Sequence, residues 1–148
     1  MDSSNVPKDP NDYAQWVIIN IKNVGTANVK IKNLDVSWGK LHANDDKDKE
    51  VSKDVFEGRV ITADETLRMN ACGRKSSPSG TTGDFDLCDV DDGDRVIRHF
   101  YWDCPWGSSK NTWTVSGSNS KWMVEYSGAN LDGGALGTIT VDVMKKGN

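Results

Sequence analysis

The amino-acid sequence predicts an all-β fold, a single-domain antiparallel β-sandwich. Short stretches of alternating apolar and polar residues recur along the chain, which is the pattern of half-buried strands. Glycine, aspartate, asparagine and serine separate these stretches, and such residues favour turns. The 148 residues are enough for one two-layer core, and no long stretch has the 3.6-residue apolar period of a helix.

The N-terminal residues differ in composition from the rest of the chain. Residues 1–12 are polar and contain two prolines, so we expect a flexible extension ahead of a sandwich domain over 13–148. The same residues lack the basic and apolar regions of a signal peptide. We therefore expect a cytoplasmic protein, or one that leaves the cell by a non-conventional route.

The first half of the domain contains four predicted strands. In the first, Val17, Ile19 and Ile21 share one face. VKIKNL at 29–34 repeats this alternation. A charged loop is expected at 44–50, and further strands are predicted in 55–62 and 66–71.

The second half continues the alternation through its aromatic residues. Phe85 and Leu87 alternate with aspartates, and the next strand is predicted to place Phe100 and Trp102 opposite Tyr101. The same alternation puts Val96 and Arg98 on the Phe100 face, and Ile97 and His99 on the Tyr101 face. The later strands are predicted to bury Trp113, Trp122, Ile139, Val141 and Val143.

Six aspartates between positions 84 and 94 raise the question of a calcium site. Their spacing does not fit an EF-hand loop, because placing Gly93 at its sixth position puts Cys88 at the first. The preferred interpretation is a hairpin with Asp92-Gly93 at its tip and the other carboxylates solvated. No metal ion or cofactor is predicted.

Charge and motif content exclude several classes of function. The formal net charge of −4 argues against binding to nucleic acid or simple attraction to anionic lipid, since both require basic patches. No apolar run approaches the roughly 20 residues of a membrane-spanning helix. The chain has no nucleophile elbow, P-loop or dinucleotide motif, so an enzyme is not predicted. A dyad of His99 with Cys104 is conceivable, but a structural histidine is preferred.

The three cysteines are too few for a disulfide scaffold. Two of them could pair in an oxidising medium, and free thiols are expected otherwise.

The segment 98–113, RHFYWDCPWGSSKNTW, is the most unusual part of the chain. It holds five aromatic residues around Pro105 and Gly107, which interrupt regular structure. Rings on an irregular loop cannot all enter one core, so some are expected to face a partner. Tryptophan and tyrosine suit a membrane–water interface, or a quaternary ammonium group held over the ring face.

Seven segments resemble the aegerolysin family: YAQWVII (13–19), VKIKNL (29–34), SWGKLHA (37–43), GTTGDFDL (80–87), RHFYWDCPWG (98–107), NTWTVSGSN (111–119) and GALGTITV (134–141). The resemblance implies a small acidic β-sandwich of actinoporin-like fold, as found in fungi and some bacteria. It also implies binding to sphingolipid membranes, containing either sphingomyelin with cholesterol or ceramide phosphoethanolamine. Several such proteins are the membrane-docking half of a bicomponent cytolysin, whose larger membrane-attack-complex/perforin partner forms the pore.

The matching motifs imply six lipid-facing residues: Trp16, Trp38, Lys40, Ser79, Tyr101 and Trp106. Trp16 fits the core equally well, and Lys40 fits a solvated surface lysine. Ser79 stands where mushroom relatives tend to carry an acidic residue, so the preferred sphingolipid and the need for sterol stay open. An alternative function is a carbohydrate-binding or interaction module, because aromatic platforms also stack on sugar rings.

Overall fold

Eleven strands pair into two sheets in this computed structural model, which describes residues 13–75, 79–107 and 110–147. The strands are β1 Trp16–Asn23, β2 Val29–Trp38, β3 Lys40–Ala43, β4 Asp46–Val51, β5 Val60–Ile61, β6 Thr66–Cys72, β7 Thr81–Asp89, β8 Arg95–Cys104, β9 Thr112–Ser116, β10 Trp122–Ser127 and β11 Gly137–Lys145. One sheet has the order β10-β11-β1-β6-β3-β4 and the other β5-β2-β7-β8-β9. The predicted sandwich is confirmed, with one parallel pair, β1 with β11.

The predicted flexible extension at 1–12 lies outside the described residues. Within the described ranges, no helix has the length and apolar character needed to cross a membrane.

The centre of the six-stranded sheet follows from the apolar alternation in β1 and β11. Val17, Ile19 and Ile21 are buried, as predicted. Ile19 lies beside Ile139 and Ile21 beside Val141 in the parallel register. Fully burying an aliphatic side chain of this size stabilises the fold by about 1.5–3 kcal/mol, so these residues contribute strongly to the core.

Aromatic rings fill the space beneath the five-stranded sheet. Phe85 and Phe100 stack with their centroids 5.0 Å apart, and Trp113 lies 5.8 Å from Phe100. Trp102 packs against Phe85 and donates its indole N–H to Thr81 Oγ1 at 3.1 Å. Phe100 and Trp102 are fully buried on the face opposite Tyr101, as the alternation predicts, and the predicted burial of Trp113 is confirmed.

The alternation in β8 is broken by a β-bulge. Leu87 pairs with Arg98 but Cys88 pairs with Val96, so Ile97 is an extra residue in β8. Ile97 is fully buried, whereas Val96 is 42% exposed. The predicted positions of these two residues are therefore wrong, because the extra residue reverses the phase of the strand.

The charged segment at 44–50 was predicted as a loop, and the structure shows a strand there. β4 pairs with β3 at the edge of the six-stranded sheet. Its sequence is DKDKEV, and most of its side chains are exposed. Charged side chains on an edge strand discourage pairing with other chains, and they leave no apolar alternation to recognise.

The predicted strand at 55–62 is largely absent, and only β5 remains of it. A 3₁₀ turn at Lys53–Val55 precedes it, and Phe56 is buried against the core. The Glu57 carboxylate accepts hydrogen bonds from the backbone N–H groups of Asn33 and Leu34, at 3.0 and 2.8 Å. This segment is therefore held to β2 by side-chain contacts and by two backbone hydrogen bonds, from Gly58 N–H to the Ile31 carbonyl at 2.7 Å and from Ile31 N–H to the Arg59 carbonyl at 3.0 Å.

A buried carboxylate links the two sheets. Asp89, at the end of β7, accepts hydrogen bonds from Lys145 Nζ and Trp122 Nε1, both at 3.0 Å. Burial would raise the pKa of Asp89, but the hydrogen bonds from Lys145 and Trp122 outweigh it and the pKa is lowered. The prediction that the aspartates around the hairpin are solvated is wrong here, and burial of Trp122 is confirmed.

The hairpin tip is placed as predicted. A 3₁₀ turn covers Val90–Asp92, and Gly93 and Asp94 both have left-handed backbone angles, with φ of 62° and 58°. Lys30 Nζ lies 3.0 Å from the Asp94 carboxylate. In the part of the chain that the structure describes, no group of three or more His, Cys, Asp or Glu is placed to hold a metal ion.

The three cysteines are free and buried. Burial raises the pKa of the Cys72 and Cys88 thiols to about 11, and it also raises that of Cys104. The thiols are therefore protonated at neutral pH, which makes them poor nucleophiles.

Candidate functional site

An open cavity of about 440 Å³ lies at one end of the five-stranded sheet. The end of β2, the beginning of β7 and the end of β8 with its following loop form its walls. We call it the aromatic cavity, and it is lined by Ser37, Trp38, Ser79, Gly80, Thr82, Tyr101, Asp103, Pro105 and Trp106.

Two tryptophans give the cavity its exposed apolar surface. Trp38 is the last residue of β2 and is 65% exposed, and Trp106 follows β8 and is 49% exposed. Pro105 has no backbone N–H to continue the ladder, so β8 ends before it. Neighbouring exposed rings at the mouth of a cavity are typical of a surface that binds a partner or a membrane.

Two glycines fix the positions of these rings. Gly39 has φ of 76°, and a Cβ there would lie 2.4 Å from the Cys72 carbonyl oxygen. The chain can therefore turn directly from Trp38 at the end of β2 into β3 of the other sheet. A Cβ on Gly80 would lie 1.9 Å from the Cys104 carbonyl oxygen, so only glycine lets this wall pack against the end of β8.

Tyr101 and Asp103 lie on the outer face of β8, opposite the buried Trp102, as predicted for Tyr101. Burial raises the pKa of Tyr101, and the nearby carboxylates of Asp103 and Asp84 raise it further. The Tyr101 hydroxyl is therefore protonated and able to donate a hydrogen bond. The Asp103 carboxylate accepts a hydrogen bond from Thr82 Oγ1 at 2.8 Å.

Ser79 contributes a neutral hydroxyl to the cavity wall. Its Oγ accepts a hydrogen bond from the backbone N–H of Arg74 at 3.3 Å. The Arg74 guanidinium is paired with Glu50 on β4, at 2.9 Å. The carboxylate of this cavity is consequently supplied by Asp103 and not by position 79.

The structure brings together four of the six predicted residues: Trp38, Ser79, Tyr101 and Trp106. Trp16 does not line the aromatic cavity. It is half-buried at the start of β1, with Lys47 Nζ 4.8 Å from its ring centroid. That arrangement is a cation–π contact within the protein.

Lys40 also lies away from the aromatic cavity. Its side chain is buried, with the residue 8% exposed, and its Nζ lies 4.7 Å from the Tyr13 ring centroid. It also donates a hydrogen bond to the Tyr13 hydroxyl at 3.3 Å. The alternative of a solvated surface lysine is therefore wrong, because Tyr13 folds over the ammonium group.

No local pattern in the sequence marks Asp103 and Thr82 as residues of the aromatic cavity. The signal that could locate them is the β7–β8 hairpin, in which Thr82 pairs with Asp103. If β8 had no bulge at Ile97, the register from the hairpin tip would pair Thr82 with Trp102, whose side chain lies on the buried face of the sheet. The bulge at Ile97 is therefore what places Thr82 opposite Asp103, and a sequence-based prediction that omits it does not bring these two residues together.

His99 does not form a dyad with Cys104. Its Nδ1 lies 2.7 Å from Asp86 Oδ1, and its Nε2 lies 3.3 Å from Asp84 Oδ2, on the outer face of the sheet. Cys104 is fully buried and donates from Sγ to Gln15 Oε1 at 3.4 Å. The structural interpretation of His99 agrees with this geometry.

Known proteins resemble this chain over almost its whole length. The family model described as Aegerolysin matches residues 14–146. Ostreolysin A6 of Pleurotus ostreatus is 69% identical over 92% of this chain and 99% of its own length. Aegerolysin Aa-Pri1 of Cyclocybe aegerita is 60% identical over the full length of both chains. The crystal structure of IP-1A from Alcaligenes faecalis superposes with a TM-score of 0.83, at 36% identity over 92% of this chain and 94% of that one.

Proposed function

Because the chain belongs to the aegerolysin family of non-enzymatic lipid-binding proteins, we propose that its aromatic cavity docks on sphingolipid membranes. The lipid is sphingomyelin accompanied by cholesterol, or ceramide phosphoethanolamine. The docked protein then serves as the recognition component of a bicomponent cytolysin.

The observation that supports this proposal is the position of the exposed rings. Trp38 and Trp106 come from different segments of the chain, yet both line one cavity together with Tyr101. Fully burying a large apolar side chain is favourable by about 1.5–3 kcal/mol, and a tryptophan ring suits the membrane–water interface because one end is apolar and the other is polar. Two such rings can therefore hold the protein on a membrane without a basic patch.

The net charge agrees with a zwitterionic headgroup. The chain carries a formal charge of −4, so anionic lipid alone would repel it at long range. A cation–π contact between a ring and the ammonium of a headgroup contributes about 0.5–2 kcal/mol. Contacts of this kind, repeated over several docked copies, supply avidity.

The pore-forming step is assigned to a partner. The relatives named above include a protein called an ostreolysin, which supports a role connected with lysis. We propose that a larger membrane-attack-complex/perforin protein supplies the membrane-inserting part. Dye-loaded vesicles should remain sealed with this protein alone and leak when such a partner is added. Leakage caused by this chain alone would contradict the proposal that the partner forms the pore.

Trp106 is half exposed and lines the aromatic cavity. Trp106→Ala should weaken binding to sphingomyelin/cholesterol or ceramide phosphoethanolamine vesicles by about 10- to 100-fold, because it removes the interfacial ring. Sedimentation with a panel of vesicles measures the effect, and pure phosphatidylcholine vesicles should bind neither protein. Trp106→Phe should retain most of the binding.

Met123→Ala is the matched control, since Met123 on β10 is also about half exposed but belongs to the other sheet. Its binding should equal that of the wild type. Normal binding by folded Trp106→Ala would contradict the site assignment. Elution by a free saccharide, with indifference to the headgroup, would instead favour the carbohydrate-binding function.

We further propose that the protein reaches its target membranes after export without a conventional signal peptide. Its presence in the culture medium of the producing organism, with a cytosolic marker retained in the cells, would support this route. Retention of the protein with that marker would contradict it.

A further inference from the structure

The carboxylates on β7 and β8 differ in their partners. Asp84 and Asp86 both contact the His99 imidazole, and Asp89 is paired with Lys145. Asp103 is the exception. Among the described residues, neither an imidazole nor a lysine or arginine side chain contacts its carboxylate, and its hydrogen bond comes from the neutral Thr82 hydroxyl.

The surroundings of Asp103 make its negative charge effective. The residue is half-buried and lines the aromatic cavity beside Tyr101 and Trp106. Its carboxylate also acts electrostatically on the cavity. Burial is the main cause that raises the pKa of Tyr101, and the charge of Asp103 is the second. A cation brought into the cavity would lie close to this carboxylate and be attracted to it.

We propose that Asp103 is the counter-charge for the ammonium group of the lipid headgroup, held in place by Thr82. This inference rests on the proposed function and names the group that the cavity selects. The rings of Trp38, Tyr101 and Trp106 surround the ammonium group, and the Asp103 carboxylate supplies the opposite charge.

The two kinds of ammonium group use this carboxylate differently. A primary ammonium, as in ethanolamine, donates charge-assisted hydrogen bonds to a carboxylate. A trimethylammonium group, as in choline, has no N–H and gains only the through-space attraction. Loss of the Asp103 charge therefore weakens binding of an ethanolamine headgroup more than binding of a choline headgroup.

The test uses intrinsic tryptophan fluorescence of the full chain, titrated with O-phosphoethanolamine, O-phosphocholine and inorganic phosphate. The wild type should bind both amines in preference to inorganic phosphate. Asp103→Asn keeps the acceptor for Thr82 and should lose about tenfold or more in affinity for phosphoethanolamine, with a smaller loss for phosphocholine. Asp142→Asn, the same change on β11 of the other sheet, should leave both affinities unchanged.

Vesicles containing ceramide phosphoethanolamine, sphingomyelin or ceramide 1-phosphate provide the membrane arm of the test. Ceramide 1-phosphate lacks the ammonium and should bind least. Wild-type affinity in folded Asp103→Asn, or equal binding of inorganic phosphate and phosphoethanolamine, would overturn the inference. If Asp103→Asn does not fold, the inference is tested by whether the wild type binds phosphoethanolamine more tightly than inorganic phosphate. Binding of the free amines without binding to any sphingolipid vesicle would instead contradict the proposed function alone.

Discussion

Among single residues, Asp89 has the clearest expected effect on stability. Asp89→Asn should lower the free energy of unfolding by about 2–4 kcal/mol, because Lys145 loses its carboxylate partner in a largely buried setting. Urea unfolding measures the change. Asp92→Asn is the control, since Asp92 pairs with Arg95 on the surface and such pairs contribute about 0–1 kcal/mol. Equal losses in the two variants would show that Asp89 does not join the sheets energetically.

The sequence allowed prediction of the large aromatic residues that line the cavity. Trp38, Tyr101 and Trp106 were recognisable because the family motifs mark them, and alternation separates Tyr101 from Trp102. Lys40 was misplaced, since its burial depends on Tyr13, which is distant in sequence. Partners brought together by folding, as here, leave no local pattern.

Within the elements, the bulge in β8 sets which residues reach the core. Ile97→Ala should destabilise the protein by about 2–4 kcal/mol, because Ile97 is fully buried and its loss leaves a cavity. Val96→Ala, one residue earlier, should change stability by no more than about 0.5 kcal/mol. Thermal or urea unfolding of the pair measures this. A larger loss at Val96 would mean that β8 keeps the uninterrupted alternation.

The strands that were predictable are those with one packed face. β1 and β11 alternate because they lie between neighbours in the six-stranded sheet, with one face against the core. β4 lies at an edge and carries charges, so its sequence resembles a loop. The bulge at Ile97 could not be predicted either, because it depends on register with β7.

Over the whole molecule, the pH dependence of stability should include a contribution from His42. Burial lowers the pKa of His42 below 6.5, and the nearby Lys47 and Lys40 lower it further, although the hydrogen bond to Ala43 opposes this. The unfolded chain therefore binds a proton more readily than the folded one below about pH 6.5. Stability contributed by neutral His42 is present above that pH, and it is lost as the pH falls towards the folded pKa.

His42→Gln should flatten the stability profile on the acid side of about pH 6.5, because no proton is then taken up at this position on unfolding. Urea unfolding at a series of pH values, for both proteins, measures the difference. An unchanged slope in His42→Gln would exclude His42 as the source.

The pairing of strands also belongs to the whole molecule, and alternation does not determine it. The parallel pair of β1 and β11 joins the two ends of the domain across more than a hundred residues. Such long-range pairing follows from how the complete chain packs. The fold class was therefore predictable, while the order of strands was not.

The aromatic cavity lies at the beginning of β7, so this strand relates the cavity to the hairpin at the opposite end of the sheet. β7 has nine residues, so at about 3.3 Å per residue its far end lies roughly 26 Å from the cavity. A molecule docked by its cavity, with this strand upright, holds the aspartate-rich hairpin well above the lipid phosphates. That height exceeds the Debye length of about 8 Å at physiological salt, so the hairpin does not repel the bilayer. In this orientation the hairpin and its surface ion pairs, Asp92 with Arg95 and Asp94 with Lys30, face the solution, where an incoming protein would meet them first.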